Sequence, residues 1–180
     1  ILYIVYENHT RNKELLKYAQ TDALTGLYNK ETTEQLTDEL LSEDENKSHA
    51  FLILDVDCFK QINDIYGHAV GDIVLQKFGK LLKGTFREGD ILGRIGGDEF
   101  GVIMKNIQTK DIAMKKAGEL LAKTQAYKID ELKGNNISIS IGISTAPQDG
   151  DCYMDLYKRA DQALYQAKRS GKARVCNYFS

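Results

Sequence analysis

At 180 residues, of which 42% are hydrophobic and 28% charged, the chain is long enough for one compact domain with a real core plus a short appendage. It is too short for two ordinary domains, and its balance is that of a globular protein rather than a disordered or membrane-embedded one. The 24 Lys and Arg against 26 Asp and Glu leave a net charge of -2, so bulk charge offers no long groove for nucleic acid, and any anion must be held by local features.

Residues 1–6 form an apolar stub, far short of the roughly 18 residues that cross a bilayer. With no initiator Met in front of it, the stub raises the expectation of a longer protein carrying a sensor or membrane segment upstream. The domain itself would then be cytoplasmic, able to be tethered to the inner face of the membrane. Residues 10–20 read as a polar helix bearing Leu15, Leu16 and Tyr18, with Asn8 and Thr10 placed to cap it. A stalk or linker over residues 1–20 and a helix merely packed on the domain both remain open. The turn-rich segment 21–30 follows, and Asn29 is placed to cap a helix running to about Leu41. Residues 43–49 are a polar loop.

The apolar run 50–56, with Asp55 near its end, predicts a buried central strand. Val70, Ile73, Val74, Phe78, Leu81, Leu82 and Phe86 recur at helical spacing. Segments 91–95 and 100–104 are short strands joined through Gly96, Gly97, Asp98 and Glu99. Two glycines can supply positive φ there, which predicts a tight hairpin. Residues 109–126 form an amphipathic helix with Ile112, Ala113, Leu120 and Leu121 inward, 137–143 alternates as a fourth strand, 153–168 is a last helix, and 174–178 is a candidate edge strand. The order strand, helix, strand, strand, helix, strand fits an α+β fold, a ferredoxin-like or palm-type antiparallel sheet with helices on one face and an N-terminal linker helix. In that topology the first strand runs antiparallel to the third. Asp55 would then converge with Asp98 and Glu99 on one sheet edge despite their separation in sequence.

Clustered carboxylates repel one another and are usually tolerated where divalent cations neutralise them. Asp98 and Glu99 alone could simply decorate a hairpin turn. An acid closing an apolar strand is a stranger place for a solvated charge, and the three together favour Mg²⁺ held against a nucleoside triphosphate, where metal polarises the α-phosphate and activates an attacking hydroxyl. In the connection that follows, Asp72 and Asn63 have the chemistry to read guanine, whose N1–H and 2-amino group donate and whose O6 and N7 accept. Helix cap and turn residue are the competing roles, and periodicity alone favours them. Lys168, Arg169 and Lys172 close the last helix, as a response to the helix dipole or as phosphate donors. The three cysteines, Cys58, Cys152 and Cys176, are far apart and lack Cys-x-x-Cys spacing, which reads as free thiols in a reducing compartment.

From Asp22 to about Val175 the sequence resembles the GGDEF family of diguanylate cyclase domains. The resemblance rests on Arg94-Ile95-Gly96-Gly97-Asp98-Glu99-Phe100, on the segment 22–30, on Asp55-Val56-Asp57-Cys58-Phe59-Lys60, on Asn63-Asp64, Gly67-His68 and Gly71-Asp72, and on the segments 140–143 and 160–168. It implies that residues 21–180 form a domain condensing two GTP into cyclic di-GMP with release of two pyrophosphates. It further implies that Asp55 and Asp98 bind two Mg²⁺ or Mn²⁺ with help from the Val56 carbonyl, and that Glu99 binds metal or deprotonates the ribose 3′-hydroxyl. By the same matching Asn63 and Asp72 contact guanine, Lys60, Lys168 and Lys172 contact the triphosphate, Gly96 and Gly97 let the backbone approach it, and Asp57 is structural. Arg87 and Asp90 match the family's Arg-x-x-Asp product-inhibition site, with a loop salt bridge as the alternative. A second cation there would come from a neighbouring surface, with Lys115 and Lys116 as candidates.

Lys30 and Lys172 stand where family members commonly carry Arg. Lysine keeps the charge but lacks the planar fork. Because the product joins two identical nucleotides through equivalent bonds and each chain offers one site, a homodimer, at least a transient one, is expected. A domain that binds GTP or cyclic di-GMP without turnover is the main rival, and a purely structural dimerisation domain is the third reading. Intact Asp55, Asp98 and Glu99 weigh against both.

Overall fold

The computed structural model describes residues 19–43 and 47–178. The expected helix over residues 10–20 therefore lies outside the described residues, save for residues 19 and 20, which are helical. Asn29 caps the first full helix, α1 (Lys30–Glu43), its Oδ1 accepting the Thr32 amide at 2.9 Å.

The core begins with β1 (His49–Val56), every residue of which is buried. The helices α2 (Phe59–Tyr66) and α3 (His68–Thr85) follow, then β2 (Ile91–Arg94), β3 (Glu99–Met104), α4 (Lys110–Ala126), β4 (Ile139–Ala146), α5 (Tyr153–Arg169) and β5 (Val175–Asn177). The sheet order is β2-β3-β1-β4-β5. Antiparallel pairing joins β2 to β3, β3 to β1 and β1 to β4, while β5 adds parallel to β4. This is the α+β, ferredoxin-like arrangement that the order of elements predicts, with β1 central and antiparallel to β3.

Successive side chains of β1 point to opposite faces, and each face has its own core. Ala50, Leu52, Leu54 and Val56 pack with Val74, Leu75, Phe78 and Leu82 of α3 and with Ala113, Ala117 and Leu120 of α4. Phe51 and Ile53 pack with Leu40 and Leu41 of α1 and with Tyr153, Leu156, Ala160 and Leu164 of α5. The expectation of helices on one face is thus corrected, because α1 and α5 cover the second face and bury β1 from both sides. At Gly142 of β4 the approach of α5 is so close that a Cβ would lie 2.1 Å from the Ala160 carbonyl oxygen and 2.3 Å from the Leu164 nitrogen.

Three local expectations also change. The connection after β1 is helical rather than a turn: Cys58 at φ 58° starts α2, and Gly67 at φ 86° separates it from α3. Phe59, Ile62 and Tyr66, at spacings of three and four, pack on the first core only in part, and Gly67 ends the helix after eight residues, so the period is short. Ile112 is 38% exposed rather than inward, although Ala113 and Leu120 are buried as expected. The fourth strand starts two residues later than its alternation indicated and runs to Ala146, because the ladder with β1 extends from Val56↔Ile139 to His49↔Ala146. Among the described residues no helix is long and apolar enough to cross a membrane.

Candidate active site

The β1–β3 register places Asp55 directly opposite Glu99, with Ser140 of β4 on the other side of Asp55. Val56 belongs to the same locus, since its amide donates to the Asp98 carbonyl oxygen at 3.2 Å. The four residues expected to form a metal site are therefore gathered at one end of the central strands. Lys168 reaches them from α5 with Nζ 2.7 Å from Asp55 Oδ2.

The electrostatics of this cluster follow from burial and from like charge. Asp55 is 7% exposed. Burial raises its carboxyl above the usual range, and the Asp98 and Asp57 charges push the same way against the opposing hydrogen bond and charge of Lys168. Glu99 is raised by burial first and by the Asp55 charge next, with Asp98 and Asp161 adding to the shift. Among the described residues Lys168 alone forms an ion pair with these acids, and the charge of Lys172 reaches Asp55 more weakly, so the carboxyls stay raised; hard oxygen donors of this kind fit Mg²⁺ or Mn²⁺.

Asp57 faces the other way chemically. Its oxygens accept from Ser138 Oγ at 2.8 Å, Ser140 Oγ at 2.7 Å and the Ala173 amide at 3.0 Å, so it is a satisfied structural carboxylate. The last of these bonds draws the 170–174 turn to the site, and Lys172 in it is exposed with Nζ 3.1 Å from Cys58 Sγ. That contact raises the Lys172 ammonium above its usual range. Lys60 stands exposed on α2.

Gly96 and Gly97 do form the expected hairpin turn, but neither lies in the left-handed region. The need at Gly96 is close approach: a Cβ there would be 2.9 Å from Glu99 Oε2. Gly97 is exposed, with nothing within 4 Å of where its Cβ would be.

Asn63 and Asp72 flank the α2–α3 junction. Asp72 lies exposed inside α3, whose N-cap is Gly67, so the cap role is removed. Asn63 lies inside α2, its Oδ1 seated against Gly71, where a Cβ would be 1.9 Å away. That oxygen is buried and accepts no hydrogen bond among the described residues, a costly arrangement unless a ligand donates to it.

Arg87 and Asp90 lie at the far end of β3, five residues from Glu99 and so roughly 17 Å from the acids. Asp90 Oδ1 accepts from Arg87 Nε and from the Lys105 amide, both at 3.1 Å, and Arg87 Nη2 donates to the Lys105 carbonyl. The pair borders a cavity of 350 Å³ shared with Lys105, Ile112 and Lys116. Lys116 is thus on the same wall system as Arg87, while Lys115 is exposed and does not line it. Exposure of Ile112 has its explanation in this cavity.

Residue-by-residue reading assigned Lys168 of α5 but missed two other residues of that helix. Tyr157 and Asp161 stand one turn apart on it, and both couple electrostatically to Glu99: burial and the charges of Glu99 and Asp161 raise the Tyr157 hydroxyl. Their helical spacing with Lys168 was the available signal.

The sheet, antiparallel but for β5, thus gathers Asp55, Asp98 and Glu99 at the neighbouring ends of β1 and β3. The diguanylate cyclase GGDEF-domain family matches residues 19–174, and the chain belongs to it. It is 37% identical over 171 residues to diguanylate cyclase A of Treponema denticola, covering 91% of this chain and 46% of that protein. It is 36% identical over 177 residues to the response regulator PleD of Caulobacter vibrioides, covering 94% of this chain and 39% of that one. The chain therefore spans about half or less of the length of these relatives. Among solved structures, a GGDEF-only form of TpbB from Pseudomonas aeruginosa superposes with a TM-score of 0.83 at 33% identity, over 88% of this chain and 94% of that one.

Proposed function

We propose that this chain is a diguanylate cyclase domain that joins two GTP into cyclic di-GMP and releases two pyrophosphates. The observation that carries the reading is the Asp55–Glu99 cross-strand pair beside Asp98, partly buried and short of positive charge. Two bound Mg²⁺ ions would neutralise the phosphate charge and polarise the α-phosphate.

Asp55, Asp98, Glu99 and the Val56 carbonyl hold those ions. Lys60, Lys168 and Lys172 would take the triphosphate, Lys168 standing 2.7 Å from Asp55 at the same locus. Asn63 Oδ1 and Asp72 accept from the guanine edge. Glu99, its carboxyl raised, is suited to take the proton of the ribose 3′-hydroxyl. The freed oxygen bonds to the α-phosphorus of the second GTP, the bond from that phosphorus to the β-phosphate bridge breaks, and pyrophosphate leaves with the electron pair. A homodimer presenting two such sites face to face completes both bonds.

Cyclic di-GMP also occupies the Arg87 and Asp90 cavity and restrains turnover. Binding of this product by relatives supports that part: the GGDEF domain of DgcB from Caulobacter crescentus is solved in complex with c-di-GMP, at 27% identity and a TM-score of 0.82 over 90% of this chain and 94% of that one. Incubation with GTP and Mg²⁺, followed by chromatographic separation of cyclic di-GMP, is the test. A dimeric preparation that binds GTP yet yields no product would reduce the domain to a binding module.

A further inference from the structure

We propose that the exposed side of α5 carrying Asp161, Tyr165 and Arg169 is the surface on which a second copy of this chain docks, antiparallel and about a twofold axis, to bring two active sites together. On the cyclase reading, on which this proposal rests, the product joins two nucleotides reciprocally and so needs two copies.

Asp161, Tyr165 and Arg169 follow one another at intervals of four, so they rise along one side of the helix in successive turns. Asp161 and Arg169 are exposed, and Tyr165 is 57% exposed. Met154, 61% exposed and about three turns before Tyr165, continues the same side. The opposite side, with Leu156, Ala160, Ala163, Leu164 and Ala167, is buried.

Charge selects the occupant. Asp161 and Arg169 stand about 12 Å apart along the helix axis, two turns, and do not pair within the chain. Among the described residues Asp161 forms no ion pair, and the Arg169 guanidinium lies over the Tyr165 ring, its Cζ 5.7 Å from the centroid. An acid and a base placed evenly about an aromatic residue make a self-complementary set. A twofold axis at Tyr165 sets Asp161 of each copy against Arg169 of the other and lays the two tyrosine rings together. Parallel pairing would instead oppose Asp161 to Asp161 and Arg169 to Arg169, a costly juxtaposition. A recess of 330 Å³ bordered by Asp161, Leu164, Tyr165 and Lys168 offers room for the incoming ring. Tyrosine suits the centre of such a contact, since it brings large apolar area with a polar tip.

This side of α5 also borders the acids. Lys168, three residues after Tyr165, holds Nζ 2.7 Å from Asp55 Oδ2, and the charge of Asp161 acts on Glu99. A twofold axis at Tyr165 therefore leaves one acidic cluster on either side of it, where the 3′-hydroxyl of one nucleotide can face the α-phosphorus of the other. A contact one helix wide is small beside the roughly 800 Å² per partner of a stable complex. The dimer is accordingly transient, and nucleotide held between the copies strengthens it.

Wild type, Arg169→Glu, Asp161→Arg and an equimolar mixture of the two variants would be compared by sedimentation velocity over a range of concentrations, with Mg²⁺ and a non-hydrolysable GTP analogue. Thermal unfolding first establishes that each variant folds. Each variant alone opposes like charges twice and should dimerise about ten- to a hundredfold more weakly than wild type. In the mixed dimer every introduced charge meets an opposite one. The mixture should return to within about threefold of wild type, a recovery that a folding defect in either chain would not give. Tyr165→Ala should weaken dimerisation about tenfold, and neither charge variant should rescue it. The cyclic di-GMP rate per chain of Arg169→Glu should fall at low protein concentration and climb as protein is added. A wild type that stays monomeric while it turns over, single variants that dimerise like wild type, or a mixture no better than its components would overturn the proposal. Should wild type dimerise but make no product, the cyclase reading fails, and sedimentation of the variants still decides whether this surface joins the copies.

Discussion

At Gly71, in the first turns of α3, an added Cβ would meet Asn63 Oδ1 at 1.9 Å, Asn63 Cγ at 3.0 Å and the Phe59 ring at 3.2 Å. Gly71→Ala therefore displaces the Asn63 amide from its seat without touching the acids. Two stability effects oppose each other. Alanine in a helix interior gains about 1 kcal/mol over glycine, and the crowding of Asn63 and Phe59 costs about as much once the amide has swung away. The unfolding midpoint should then stay within about 4 °C of wild type, since 1 kcal/mol moves a domain of this size by roughly that much. Recognition of the base is another matter. Losing a hydrogen bond to a buried polar partner costs about 1 to 3 kcal/mol, which is roughly five- to 150-fold in affinity. Binding of a non-hydrolysable GTP analogue to Gly71→Ala, measured by calorimetry beside thermal unfolding, reads both. ATP, which lacks the donors Asn63 meets, should lose far less. An unchanged GTP affinity would refute the placement of Asn63 in the guanine site.

Glu99→Gln should lower kcat by about 10²- to 10⁴-fold, the usual worth of a positioned proton acceptor, in a rate assay at saturating Mg²⁺. The same variant tests the electrostatics. A carboxyl raised in the fold binds its proton more tightly there than in the unfolded chain, so ionising it costs stability as pH climbs from its ordinary value near 4.5 through the raised one. Metal-free Glu99→Gln should accordingly melt above wild type at pH 7, with the difference fading below pH 4.5. Arg87→Ala should weaken cyclic di-GMP about tenfold or more in calorimetry by removing charge-assisted bonds, whereas equal affinity would leave Arg87 and Asp90 a surface ion pair. Gly142→Ala drives a Cβ into the α5 backbone and should cost about 1 to 3 kcal/mol, visible as a midpoint several degrees lower in thermal unfolding.

Read alone, the sequence determined the type of each strand and of every full helix but α2, the central place of β1 and the convergence of Asp55 with Asp98 and Glu99. These are properties of period and topology: an apolar run buries a strand, and a strand, helix, strand, strand order leaves one arrangement that brings residues 55 and 99 opposite each other. The motif blocks identified the family for the same reason, since each is a contiguous set of residue types. What needed the tertiary structure was every contact between segments whose partners have no fixed spacing. Lys168 could be a helix-end cation or a phosphate donor until α5 set it 2.7 Å from Asp55. Asp55 lies in β1 and Asp57 just past its end, and only Ser138, Ser140 and the Ala173 amide separate a satisfied carboxylate from one short of charge. Ile112 fits the apolar face of α4 by period, yet it borders the Arg87 cavity. The bond from Arg94 to Asp22 spans 72 residues, a distance along the chain at which pairing depends on how helices and sheet pack rather than on any local preference.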